Sequence, residues 1–237
     1  MNKDIFGAAI SDYFEGKYTE DITVSAPDFD NDSIPVPYLF RGHSDMPKIE
    51  QKALELAYGK TLDIGCGAGS HSLYLQEKGL NVMAIDISEG AVAICQKREI
   101  KNVHVKDILA LNNASFDTIL LLMNGSGIIG KLHKITDFLN HLKTLLLPEG
   151  QVLLDSSNIA YLFEEEDGSF WIDTNKAYYG EMRYQLKYKN QSSDWFDWLY
   201  LDFDTLQQAC EASGWICELL VEGDHYDYLA KLSVKSS

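Results

Sequence analysis

Leu62-Asp63-Ile64-Gly65-Cys66-Gly67-Ala68-Gly69-Ser70 decides the fold of this chain. An apolar strand runs into glycines spaced two apart, and a helix opens immediately after them. A side chain at Gly65 or Gly67 would hold the backbone away from a ligand. The glycines therefore predict a small molecule lying across the turn, near the N-terminus of the next helix. Outward from there, Asn81-Val82-Met83-Ala84-Ile85-Asp86 reads as the following strand. It ends in an acid about 20 residues past the glycines, where a carboxylate accepts both hydroxyls of a ribose. The spacing predicts a nucleoside ligand held by Asp86.

The choice of nucleoside rests on two details. A dinucleotide fingerprint reads G-x-G-x-x-G, but here the third glycine comes one residue early, at Gly69, and Ser70 stands in the expected place. Asp63 has no role in holding a pyrophosphate and suits a ligand that carries a cationic amine. Asp63-Ile64-Gly65-Cys66-Gly67-Ala68-Gly69 resembles the first motif, acid-x-G-x-G-x-G, of the class I S-adenosylmethionine-dependent methyltransferases. Further parts follow at matching spacing. Val103-His104-Val105-Lys106-Asp107-Ile108 is a short strand ending in an acid, and Phe116 to Asn124 is a strand too apolar for an exposed edge. The loop Asn124-Gly125-Ser126-Gly127 closes it. Leu147-Pro148-Glu149-Gly150 with Gln151 to Asp155 resembles the turn and strand that come next, so the match runs roughly from Pro47 to Asp155.

The resemblance implies S-adenosyl-L-methionine as cofactor, and it implies contacts residue by residue. Asp63 meets the amino group, the backbone of Gly65, Cys66 and Gly67 approaches the ligand, and Asp86 takes the ribose. Ile87 lies beside the adenine, Asp107 meets the adenine amine, and Ile108 packs on the ring. Asn124 offers its carbonyl. Asp63 as a turn-stabilising carboxylate and Asn124 as a strand-ending residue are the alternatives. The chain ahead of the first core helix often folds over the cofactor in this family. In Tyr38-Leu39-Phe40-Arg41-Gly42-His43, Arg41 is the candidate for the methionyl carboxylate, since a guanidinium offers two parallel hydrogen bonds. Tyr38 is a neighbouring wall, and a plain surface arginine is the alternative.

Periodicity predicts a helix over 47–58, then strand 61–65, helix 70–78, strand 81–86, helix 88–99, strand 103–107, strand 116–124, a helix near 134–146 and strand 151–156. Tyr179 to Tyr188 alternates apolar and polar, and Trp195 to Tyr200 is a second aromatic run, so the two predict an antiparallel hairpin. A helix over 204–213, capped by Asp204, and strands 216–221 and 228–234 close the chain. The expected class is α/β, a doubly wound and mostly parallel seven-stranded sheet with a C-terminal antiparallel pair. Residues 1–46 read as an irregular segment capping the cofactor site. Residues 47–237 read as the methyltransferase domain, with the hairpin inserted at about 178–201.

Composition narrows the function. A net charge of −16 opposes the phosphate contacts of a nucleic-acid partner. The four cysteines form no C-x-x-C pair, the histidines show no metal-ligand spacing, and no metal is expected. Met1 to Phe6 lacks the apolar stretch of a secretory signal, and no run reaches the roughly 20 apolar residues of a bilayer span. The expectation is a cytoplasmic enzyme with no membrane partner, of unassigned oligomeric state. Methyl transfer needs positioning more than acid–base help, so no catalytic residue is nominated. The acceptor is expected to be a small molecule, attacked in line at the methyl carbon. Tyr184 and Trp198, among Trp171, Tyr178, Tyr179 and Trp195, are candidates for its walls, with packing of these rings as the alternative. Arg183 is a candidate for an acidic group and His133 for a base. The competing functions are a non-catalytic protein that binds S-adenosylmethionine or S-adenosylhomocysteine, and a protein methyltransferase.

Overall fold

The run Thr118 to Leu122 is apolar without alternation because both of its faces are covered. Ile119 and Leu121 enter one core with Phe138, Leu142 and Trp215, while Leu120 and Leu122 enter another with Ile49, Ala53, Leu54 and Leu75. Such burial on two faces is the mark of a parallel sheet between helical layers. The structure is a computed structural model describing residues 3–27, 29–163 and 177–235.

In chain order, α1 (Ile5–Phe14), β1 (Ile22–Ala26) and β2 (Phe29–Ile34) precede the motif region. Then come α2 (Lys48–Leu56), β3 (Lys60–Ile64), α3 (Ser70–Glu77), β4 (Asn81–Asp86), α4 (Glu89–Lys97) and β5 (Val103–Val105). β6 (Phe116–Leu121), α5 (Ile135–Thr144) and β7 (Leu146–Ser157) complete the parallel part. β8 (Glu181–Tyr188), β9 (Gln191–Ser192), β10 (Phe196–Leu199), α6 (Phe203–Ala212), β11 (Trp215–Glu222) and β12 (Asp227–Val234) follow.

The main sheet has seven strands in the order β11-β12-β7-β6-β3-β4-β5. β3 to β7 run parallel, and β12 enters antiparallel between β7 and β11. The expected fold class holds. All five parallel strands therefore end on one edge, where an open α/β sheet binds its ligand.

A second, antiparallel sheet has the order β10-β8-β1-β2, with β9 added to β8. Here the reading of residues 1–46 as irregular is corrected, because they supply a helix and two strands. β1 pairs with β8 through Thr23 with Lys187 and Val24 with Leu186, so the predicted hairpin is extended by the N-terminal segment. β2, Phe29-Asp30-Asn31-Asp32-Ser33-Ile34, is rich in poor strand formers. It holds only as an edge, where its charges also discourage further pairing.

α1 is fixed by Asp4, whose carboxylate accepts from Gly7 N at 2.8 Å, Ser88 Oγ at 2.8 Å and Gly90 N at 2.9 Å. One side chain thus caps α1 and ties it to the start of α4. The cap of α6 is also corrected: Asp202, not Asp204, accepts from Thr205 N at 2.8 Å.

Candidate functional site

The glycine turn follows directly from its sequence. Gly65 (φ +72°) and Gly67 (φ +54°) occupy the left-handed region, where a Cβ is costly. A Cβ at Gly67 would meet only Phe6, at 3.9 Å, and one at Gly65 only Ile128, at 3.3 Å. The Phe6 contact is ordinary packing, whereas the Ile128 side chain would have to give by a few tenths of an ångström. Gly69 differs, because a Cβ there would lie 2.2 Å from Ile100 Cδ1 and 2.9 Å from Cys95 Sγ. It serves close packing of the turn against α4. The Cys66 side chain is buried with its Sγ 3.9 Å from Cys95 Sγ, so this residue presents backbone to the site.

Three strand-end acids take distinct positions. Asp86 accepts from Gly67 N at 2.8 Å and Ser88 N at 2.9 Å, joining the ends of β3 and β4. Burial pushes its carboxyl above the ordinary range, and the two amides oppose that push. Asp63 is buried and accepts from Ser72 Oγ at 2.6 Å. Asp107 is exposed and caps the turn Ile108–Ala110, accepting from Leu109 N at 2.8 Å. Ile87 is 76% exposed on the same edge. Ile108 does not join it as expected: its side chain is turned into the main core beside Ile85 and Leu111. The apolar side chain exposed next to it is Leu109, which the sequence reading missed.

Tyr38 and Arg41 meet as predicted, the guanidinium carbon lying 3.8 Å from the Tyr38 ring centre. Arg41 is not a free cation, however. Its Nη2 is paired with the Glu50 carboxylate, Nη1 donates to Tyr38 O at 2.7 Å, and His71 Nε2 also reaches Glu50 at 2.7 Å. The Arg41 and Glu50 side chains are each 4% exposed. Burial pushes the Glu50 carboxyl up, but His71 and Arg41 together outweigh it and hold the group below its ordinary range. Arg41 Nε and, nearby in sequence, His43 Nε2 are buried without a partner. A buried polar atom left without a partner is open to a bound water, ion or ligand. Glu50 had left one signal in the sequence, a charge inside the apolar stripe of α2.

β6 ends in a strained turn, with Met123 at φ +65° and Asn124 at φ +57°. β7 holds it in place. Asp155 accepts from Met123 N and Gly125 N, both at 3.0 Å, Ser156 Oγ meets Ser126 Oγ at 2.7 Å, and Ser157 Oγ donates to Asn124 Oδ1 at 2.7 Å. The Asn124 carbonyl already accepts from Gly127 N at 2.9 Å. Burial pushes the Asp155 carboxyl up to about 7.

The acceptor candidates divide. Register places Tyr184 opposite Phe196 and Met182 opposite Trp198, so the four share one face. Trp198 lies against Gly127, where a Cβ would come within 1.8 Å of the indole. Arg183 pairs with Asp197 on the other face, exposed, with Nε 3.9 Å from its carboxylate. His133 is exposed in the turn Leu132–Lys134, just before α5. Tyr178 and Tyr179 both donate to Asp202, so these two rings brace the start of α6. Trp171 lies outside the described residues. Among the described residues, no three His, Cys, Asp or Glu side chains are placed to hold a metal ion, and no helix is long and apolar enough to cross a membrane.

Comparison with known proteins agrees with this geometry. The methyltransferase domain family matches residues 62–154. The chain is 46% identical to the SAM-dependent methyltransferase from Bacteroides fragilis solved in complex with S-adenosyl-L-homocysteine, over 98% of this chain and 95% of that one, at a TM-score of 0.92. It is 26% identical over 116 residues to YqeM of Bacillus subtilis, a match spanning 45% of this chain and 47% of that relative. The S-adenosylmethionine-dependent methyltransferase from Clostridium acetobutylicum shares the fold at 14% identity, over 81% of this chain and 94% of that one, with a TM-score of 0.57. A glycine turn backed by strand-end acids, on a chain this similar from end to end to a solved relative, places the protein in the family of class I S-adenosylmethionine-dependent methyltransferases.

Proposed function

We propose that this enzyme transfers a methyl group from S-adenosyl-L-methionine to a small-molecule acceptor. The observation that carries the reading is the join between Gly67 N and Asp86, made at 2.8 Å beside two glycines held in the left-handed region. Asp86 takes the ribose, Ile87 and Leu109 flank the adenine, and Asp107 meets its amine. Asp63 and the backbone of Gly65, Cys66 and Gly67 line the methionyl end. Arg41 Nε, the donor left over after Glu50 is satisfied, faces the methionyl carboxylate, with Tyr38 packed on the guanidinium. Residues 1–46 act as the cap over this site.

When bound, the cofactor supplies a methyl carbon already activated by a positive sulfur. The protein's share is alignment. The turn Met123–Asn124 is held rigidly by Asp155 and Ser157, and Trp198 sits on Gly127 where the acceptor side begins. No acid or base of the chain is required for an acceptor that is already nucleophilic.

Calorimetric titration with S-adenosylmethionine and S-adenosylhomocysteine tests the site. Binding with a Kd of about 1–100 μM is expected, weakened at least about tenfold in Asp86→Ala and Asp86→Asn proteins whose circular dichroism is unchanged. Absence of binding to the folded wild type overturns the proposal.

A further inference from the structure

The segment ahead of α2 is fastened to the start of α3. Ser70 Oγ donates to Leu39 O at 2.8 Å. Arg98, at the end of α4, donates through Nη1 to Ala68 O at 2.6 Å, and its guanidinium lies 5.1 Å from the Phe40 ring centre. Arg41 follows directly, which brings it beside the first turn of α3, behind the glycine turn. There one carboxylate joins three elements. Glu50 on α2 accepts from Arg41 Nη2 and from His71 Nε2, one residue past Ser70, the latter at 2.7 Å.

How the guanidinium is shared carries the argument. An arginine commonly meets a carboxylate along an edge, with two nitrogens on two oxygens. Here both Glu50 oxygens accept from Nη2 alone. Nη1 goes to Tyr38 O at 2.7 Å, and the Tyr38 ring covers one face at 3.8 Å. Nε is left without a partner on a side chain only 4% exposed. An empty buried donor on a cation is costly, and a second carboxylate arriving at Nε removes that cost. His71 matters because it gives Glu50 a second donor, so Glu50 does not need the Nε edge of Arg41 as well.

Building on the methyltransferase reading, we propose that Glu50, braced by His71, is a positioning residue that turns the Nε edge of Arg41 toward the methionyl carboxylate of the cofactor. The cap thereby selects the amino-acid form of the nucleoside over its decarboxylated form. Glu50 acts only through Arg41 and does not touch the ligand. Its negative charge opposes an incoming carboxylate, so its favourable effect is one of orientation. That gives the arrangement a sign that neither plain electrostatics nor plain stability shares.

The test compares calorimetric binding of S-adenosylhomocysteine with that of S-adenosyl-3-thiopropylamine, the same thioether nucleoside without its carboxylate. The wild type is expected to prefer S-adenosylhomocysteine by about 10- to 100-fold. Glu50→Gln weakens S-adenosylhomocysteine about tenfold and leaves the decarboxylated ligand within about threefold. The double variant Arg41→Met with Glu50→Met replaces the buried pair by apolar side chains, a change that folded cores tolerate, and brings the preference to about threefold or less. The proposal is overturned by a Glu50→Gln protein that binds S-adenosylhomocysteine as tightly as the wild type or more so. It is equally overturned by a Glu50→Gln loss shared by both ligands, or by a double variant that keeps the wild-type preference. A wild type that binds both ligands alike overturns the positioning and leaves the cofactor site standing. A folded wild type that binds neither overturns the cofactor site itself, and the positioning falls with it.

Discussion

Asp155 joins stability to pH at a single position. It is buried near the end of β7, within electrostatic reach of Glu50 and His71, and burial raises its carboxyl from 3.8 to about 7. An acid whose folded pKa exceeds its unfolded value binds more protons in the native state across the interval between them. Stability therefore falls as pH rises from about 4 to about 7, then levels off. The full effect is on the order of 4 kcal/mol, at about 1.4 kcal/mol per unit. Urea unfolding at pH 5 and pH 8 is expected to show a steeper loss for the wild type than for Asp155→Asn. Equal slopes would mean that Asp155 titrates alike in both states. Glu50 works in the opposite sense, since His71 and Arg41 hold it ionised. Ordinary strand-end and helix-stripe patterns predict neither group's environment, because their partners arrive from other elements.

Between elements, the contact of most consequence is β10 with the turn after β6. Gly127 is required there for space: a Cβ would overlap the Trp198 indole. Gly127→Ala is expected to push Trp198 off the transfer turn. The acceptor KM should rise about tenfold or more, while the Kd for S-adenosylmethionine, whose proposed contacts lie outside this turn, changes less than about twofold. Kinetics beside calorimetry check this, and parallel losses in both would mean that the turn also shapes the cofactor site. The aromatic alternation of β8 and the run in β10 were readable from the chain, as was their antiparallel pairing. Which rings brace another element and which line the face of the sheet was not, since Tyr178 and Tyr179 brace Asp202 while Tyr184 shares a face with Trp198.

Over the whole molecule, the N-terminal segment and the late hairpin stand or fall together. Ile22 on β1 is buried with Ile5 and Ala9 of α1, Val36 and Tyr188 of β8. Ile22→Ala should cost about 2–4 kcal/mol through the cavity it leaves. Hydrogen exchange should then quicken in 5–14 and in 181–188 together, with β6 unchanged. Exchange that quickens in 5–14 alone would show two independent units.

The sequence by itself determined the doubly wound sheet, the glycine turn and the strand-end acids Asp63, Asp86 and Asp107. Each is written in a contiguous pattern: apolar runs of sheet length, glycines at fixed spacing, an acid where a strand stops. Tertiary structure alone decided that Ile22–Ala26 and Phe29–Ile34 form strands, because β8, the partner of β1, lies far downstream and the acidic β2 has little strand propensity of its own. It also decided that Glu50 is shared by Arg41 and His71, that Ile108 turns inward and Leu109 outward, and that Tyr200 meets Tyr184. Those outcomes depend on which distant side chains fill the same space, and no local spacing encodes that.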